Sequence, residues 1–209
     1  MFTGIVTEVG RVVSVRALDA GVELTIVAPH TAPRLQLGSS VAINGVCLTV
    51  TTLLPDRFTV QAVGATMTST TFGFPDDLTG SSLNLEPSLR AGDELGGHLV
   101  SGHVDGVGSV VRLESRGDAI YLTISIPVVL ARYVARRGSI ALDGVSLTVA
   151  DLEEAGESCR ISLSIIPHTW THTIMNEYQP GRPVNIEVDS VARYLERLVA
   201  ARGPAPLEG

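Results

Sequence analysis

The residues able to do chemistry fall in matched places. Cys47 lies in NGVCLTV (44–50) and Ser146 in DGVSLTV (143–149), segments identical at five of seven positions, so a thiol stands where the other copy has a hydroxyl. Given exposure and thiolate character, such a cysteine can attack a substrate or polarise a nucleophilic water. A lone cysteine on a strand is more often inert core. His103 occupies the place of Ile5 in the earlier copy, which turns an apolar barrel position into an imidazole able to move protons; an ordinary surface histidine is the alternative. His98 lies off the alternation of a strand and has no carboxylate or thiol at ligand spacing, so no metal site is expected. His168, in IIPHT, either touches a ligand or ends a strand. Asp189 either caps a helix or reaches a neighbouring subunit's site as a carboxylate, and the two roles are compatible. Phe2, at the extreme N-terminus, reads as a residue that pins the terminus by packing.

Composition narrows the classes. The 15 basic residues are all Arg, so lysine Schiff bases and the P-loop lysine are excluded. A net charge of -7 with scattered arginines offers no stripe for phosphates, which argues against nucleic acid and leaves small molecules as partners. The two cysteines, Cys47 and Cys159, have no zinc or disulfide spacing and are expected to be reduced thiols. No apolar run reaches the ~18 residues of a membrane span. The start MFTGIVTEVG lacks the basic and apolar regions of a signal peptide. A cytoplasmic protein without membrane association is expected.

The positioning elements come from a duplication. TGIVTEVGRVVSV from Thr3 aligns with SGHVDGVGSVVRL from Ser101, VELTIVAP from Val22 with IYLTISIP from Ile120, and GSSLNLE from Gly80 with GRPVNIE from Gly181. Offsets stay near 98 residues, too long for a solenoid repeat, so each copy reads as a domain with its own core. The domains are 1–88 and 97–188, with Pro87 to Glu94 as connector. Each copy holds about six short β-branched runs, in the first Gly10 to Val15, Val22 to Val27, Ser40 to Ile43, Cys47 to Leu53, Arg57 to Val63 and Ser82 to Leu85. Asn44-Gly45 and Asp143-Gly144 are tight-hairpin dipeptides. Such a small antiparallel sheet avoids exposed edges by closing into a barrel. Residues 189–203 form an amphipathic helix with Val191, Leu195, Leu198 and Val199 on one face and Gly203-Pro204 as its stop. That face packs either on its own barrel or on a partner subunit.

Together MFTGIV, NGVCLTV, GGHLVSGHVDG, DGVSLTV, IIPHT and VNIEVD resemble the riboflavin synthase family, the duplicated lumazine-binding barrel enzymes, over nearly the whole chain to about residue 200. The resemblance implies an all-β fold of two six-stranded Greek-key barrels and a C-terminal helix through which three chains assemble. It implies a transferase that dismutates two 6,7-dimethyl-8-ribityllumazine molecules by four-carbon transfer, giving riboflavin and 5-amino-6-ribitylamino-pyrimidinedione, with no cofactor and no metal. The active site would lie where the N-barrel of one subunit meets the C-barrel of its neighbour. Carried onto this chain, the catalytic set is Cys47, His103, Ser146, Thr148, Ser40, Asp189 and Phe2. The substrate-binding set on the first barrel is Cys47, Leu48, Thr49, Gln61, Ala62, Val63, Gly64, Ala65 and Thr66, with Gly4, Ile5 and Val6 from the N-terminal segment. The remainder is Gly102, His103, Val104, Arg137, Ser146, Leu147, Thr148, Ile166, Pro167, His168, Thr169, Trp170 and Thr171.

Three departures fall on the first barrel. Ala65-Thr66 stands where the family usually has Glu-Thr, Pro87 follows Asn84-Leu85-Glu86 where Arg is usual, and Met67 to Phe72 lacks a basic residue. In the second copy Arg137 replaces the usual Lys. The alternative to a working enzyme is therefore a divergent paralogue that binds lumazine or flavin without turnover, or that couples a different pair of pteridine-like substrates.

Overall fold

Asn44 and Gly45 adopt φ of 47° and 76°, and Asp143 and Gly144 adopt 44° and 78°, the left-handed pair that turns a strand back on itself in two residues. These hairpins organise the sheets. The computed structural model describes residues 1–74, 78–117, 119–155 and 158–202. Its first half holds β1 (Glu8–Leu18), β2 (Gly21–Val27), β3 (Ser40–Ile43), β4 (Val46–Leu54), β5 (Arg57–Val63) and β6 (Ser82–Pro87), with the short helix α1 (Ala65–Ser69) after β5. The second holds β7 (Gly106–Arg116), β8 (Ala119–Pro127), β9 (Ser139–Leu142), β10 (Val145–Ala155), β11 (Ser158–Ile165) and β12 (Pro183–Val188), with α2 (Pro167–His172) after β11. A C-terminal helix, α3 (Ser190–Arg202), follows. The expected helix stop, Gly203-Pro204, lies outside the described residues.

Both sheets close in one Greek-key order, β1-β2-β5-β4-β3-β6 and its equivalent in the second half, with every pair antiparallel. Closure needs bent strands, and bulges recur at equivalent points, Val12/Ser14 and Val50/Thr52 in one barrel, Val110/Arg112 and Val149/Asp151 in the other. Alternate residues point inward, so Leu24, Ile26, Phe58 and Val60 fill the first core and Leu122, Ile124, Ile161 and Leu163 the second. Each such fully buried side chain contributes roughly 1.5–3 kcal/mol.

The barrels meet about an approximate two-fold axis. The hairpin tips touch so closely that a Cβ on Gly45 would lie 2.7 Å from the Gly144 nitrogen. Asn84 Nδ2 donates to the Asp143 carbonyl and Asn185 Nδ2 to the Asn44 carbonyl, both at 2.8 Å. Phe2 and Val100 form a two-way backbone bridge, and Phe2, Ala42, Val100 and Ala141 make a small apolar cluster between the barrels.

The alignment of the two copies expects Ile5 and His103 at barrel positions. Ile5 and His103 do not occupy barrel positions; they are exposed residues on two irregular straps, residues 1–7 and 97–105, that precede β1 and β7. The pattern of a strand continues in sequence through each strap, but the Gly4 and Gly102 carbonyls bond to the opposite barrel, and the strap backbones rejoin their own barrels at Thr7, which donates to Leu85, and Asp105, which donates to Ile186.

Candidate functional site

Each barrel has one place where neighbouring strands part. In the first, β4 pairs with β5 from Val50↔Val60 onward, while Val46 to Thr49 pair only with β3 among the described residues. Val50 N–H bonds back to Ser39 at 2.9 Å. By strand alternation the Thr49 backbone therefore faces away from β3 into the opening, as does that of Cys47. In the second barrel β10 joins β11 at Val149↔Leu163, and Val145 to Thr148 pair with β9. Val149 N–H bonds back to Gly138 at 2.9 Å, so Thr148 faces the matching opening. Backbone amides and carbonyls at such a parted edge suit the hydrogen-bonding rim of a flat heterocycle.

The straps cross over to these openings. Gly102 carbonyl accepts the Cys47 N–H at 2.9 Å, and Gly4 carbonyl accepts the Ser146 N–H at 2.8 Å. Val104 packs against the first core and Val6 against the second. Glycine is required at both crossings, where φ is 81° and 73° and a Cβ would lie 2.5 Å from Cys47 Cβ or 2.6 Å from Ser146 Cβ.

The sequence-derived residues thus separate into two sets. At the first opening stand half-buried Cys47, buried Leu48, exposed Thr49 with its cross-strand partner Ser40, and the strap residues Gly102, His103 and Val104. On β5, Gln61 and Val63 are exposed and Ala62 is buried; the Gln61 amide is engaged outside the opening, donating to Glu23 Oε2 at 3.0 Å. Gly64, at φ 53°, breaks the strand and leads into α1 at Ala65 and Thr66. At the second opening stand Ser146, Leu147, Thr148 and the strap residues Gly4, Ile5 and Val6, so the N-terminal segment serves the C-terminal barrel rather than its own. Ile166 to Thr171 continue from β11 into α2. There His168 stacks on His172 with ring centroids 4.1 Å apart, Trp170 packs against the second core, and Thr171 Oγ1 donates to the Pro167 carbonyl at 2.9 Å.

Three residues take places that sequence spacing leaves open. Phe2 is 0% exposed within the inter-barrel cluster and packs the crossing in place. Asp189 caps α3, accepting Val191 N–H at 2.9 Å, and its charge also acts on His98. Arg137 is exposed with φ 65°, at the position where the first barrel has Gly38 with φ 82°, and both N–H groups bond to the strand across the turn.

His98 is the functional candidate that sequence reasoning missed. Its Nδ1 lies 2.7 Å from Ser146 Oγ, and its Nε2 is buried without a hydrogen-bond partner among the described residues. Burial holds its pKa below the usual 6.5, against the charges of Asp189 and Glu187. Near neutral pH it is an uncharged base beside a hydroxyl. The available signal was the pairing of Gly-His with Ser-Gly-His in one short segment, GGHLVSGH.

Two closed barrels of one design, each with a parted edge and a strap from the opposite repeat, define a duplicated-barrel protein with paired candidate sites. The lumazine binding domain family matches the chain twice, over residues 3–88 and 101–189. The chain is 42% identical over 204 residues to riboflavin synthase of Brucella abortus (strain 2308), covering 95% of this chain and 98% of that protein. It is 39% identical over 200 residues to riboflavin synthase of Bacillus subtilis (strain 168), covering 95% and 90% respectively. The fold is shared with the crystal structure of LumP complexed with riboflavin, at a TM-score of 0.79 and 24% identity over 90% of this chain and 99% of that one. The chain belongs to the riboflavin synthase family, a family of enzymes built on two lumazine-binding domains.

Proposed function

We propose that this protein forms riboflavin by dismutating two 6,7-dimethyl-8-ribityllumazine molecules, one bound at each kind of opening. The reaction moves a four-carbon unit from one ring to the other and leaves 5-amino-6-ribitylamino-pyrimidinedione. The observation that carries this reading is the pair of equivalent openings that differ in their reactive group, Cys47 in one and the Ser146–His98 pair in the other. Two identical substrates with opposite roles need alike pockets with unlike chemistry. At one ring, an acidic methyl proton must be removed; at the other, a nucleophile must add. His98, held neutral, and His103, Ser146 and Thr148 are the groups assigned to proton transfer. Cys47, or a water that it polarises, is assigned to addition.

Both openings would have to face each other, and a single chain serves them with separate barrels. The C-terminal helix supplies a reason for assembly. Its apolar residues point to solvent, with Tyr194 72% and Val199 71% exposed, while ion pairs from Arg193 to Asp105 and from Arg132 to Glu196 tie it to the second barrel. We assign this face to a homotrimer that sets the N-barrel opening of one subunit against the C-barrel opening of the next. No described helix is long and apolar enough to cross a membrane, and a cytoplasmic location accords with free thiols at Cys47 and Cys159.

The carrier reading, binding without turnover, draws on Ala65 and Pro87. Retention of both openings speaks for the enzyme. Purified protein mixed with the ribityllumazine should develop the longer-wavelength absorbance of riboflavin; altered lumazine fluorescence with no flavin band would establish the carrier instead.

A further inference from the structure

Two carboxylates with no catalytic role assigned above are almost entirely buried and occupy equivalent positions. Glu86, 7% exposed on β6, accepts Thr3 N–H and Thr3 Oγ1–H on Oε1 at 2.7 and 3.0 Å, and Gly4 N–H on Oε2 at 2.9 Å. Glu187, 3% exposed on β12, accepts Ser101 N–H and Ser101 Oγ–H on Oε1 at 2.7 and 2.6 Å, and Gly102 N–H on Oε2 at 2.9 Å. A buried carboxylate is costly to desolvate, and three donors aimed at two oxygens offset that cost while fixing the donors' backbone in direction and depth. The fixed backbone is the crossing itself. Gly4, held by Glu86 of the first barrel, carries the carbonyl that meets Ser146 of the second; Gly102, held by Glu187 of the second, carries the carbonyl that meets Cys47 of the first. His103 and Ile5 are the next residues along.

We propose that Glu86 and Glu187 are positioning residues that complete each opening from the opposite repeat, Glu187 seating His103 at the Cys47 opening and Glu86 seating Ile5 and Val6 at the Ser146 opening. Each site then depends on a carboxylate in the barrel that does not contain it. The assignment of kinetic consequences rests on the riboflavin synthase reading, whereas the structural crossing does not.

The experiment compares Glu187→Gln and Glu86→Gln with wild type in the full-length protein. A glutamine replaces one acceptor by an NH₂ group facing an N–H, so the strap loosens while volume is kept. Without any ligand, hydrogen exchange of the Cys47 amide should speed up by about tenfold or more in E187Q, with the Ser146 amide unchanged; E86Q should show the converse. With ribityllumazine, each variant should lose binding at one opening and retain it at the other, with E187Q losing the Cys47 opening. Ser101→Ala and Thr3→Val remove one bond each and should give the same pattern more weakly, which keeps the test open if a glutamine variant fails to fold. Faster exchange confined to the barrel that carries the altered glutamate, or equal changes at both amides, would overturn the proposal. Crossed exchange without lumazine binding in wild type would retain the crossing and remove the riboflavin synthase reading.

Discussion

His98 Nδ1 and Ser146 Oγ lie 2.7 Å apart, although 48 residues separate them in the chain, because the strap carrying His98 passes Ser146 at the start of β10. The pair couples a neutral imidazole to a hydroxyl at a parted strand edge. Replacing His98 with Gln keeps a hydrogen-bonding group but no base, and turnover should fall by about a hundredfold or more while lumazine still binds. Ser146→Ala should cost a similar factor, and the double variant little more than either single one, since the two act as a unit. Steady-state kcat on the three variants checks this; additive losses would separate the residues.

The pH profile carries the same pair. Burial lowers the His98 pKa from 6.5, so the imidazole stays unprotonated as pH falls through that value. Activity that needs neutral His98 should persist below pH 6.5 and decline only beneath the lowered pKa. A kcat profile whose acid limb is centred above 6.5 would contradict a basic role for His98.

Cys47→Ser makes the first opening resemble the second. Turnover should drop while the lumazine fluorescence change on binding is largely kept, because the backbone edge and the Gly102 contact remain. Unchanged turnover would remove Cys47 from the mechanism.

Leu198→Glu places a charge on the exposed face of α3 without touching either barrel core. Sedimentation should show a smaller species, and activity should fall with it. A fully active monomer would exclude a site shared between subunits.

Asp143, the counterpart of Asn44, is pushed up to about 6 by burial, against hydrogen bonds from Tyr178 Oη at 2.7 Å and Asn185 N at 2.8 Å. A carboxyl whose folded pKa exceeds its unfolded 3.8 favours folding most when protonated. Its contribution is present below about pH 4 and is lost as pH rises through about 6. Asp143→Asn removes that dependence, so the melting temperature of the variant relative to wild type should climb between pH 4.5 and 7.5 by several degrees at most (~2–4 °C per kcal/mol). A difference that stays constant over that range would show that Asp143 does not titrate there.

Local signals made much of this molecule legible. Repeated segments, β-branched runs and the Asn-Gly and Asp-Gly turns foretold two closed barrels, and Asp189 followed by spaced apolar residues foretold α3. The equivalent strand positions of Cys47 and Ser146, and of Thr49 and Thr148, were readable because duplication sets them in register. The crossing of the straps was not readable. Ile5 and His103 continue the period of a strand, and nothing local says that Gly4 and Gly102 bond to the other barrel. His98 and Ser146 are joined only by folding, as are Glu86 with Thr3 and Glu187 with Ser101, separated by 83 and 86 residues. Hydrophobic period reports which face is buried, not which partner covers it.

Dismutation is tested by incubating the purified protein with 6,7-dimethyl-8-ribityllumazine alone and quantifying every species by chromatography. Two lumazines should disappear for each riboflavin formed, with one equivalent of the ribitylamino-pyrimidinedione and no added cofactor. Lumazine that binds and is recovered unchanged would contradict dismutation by this protein.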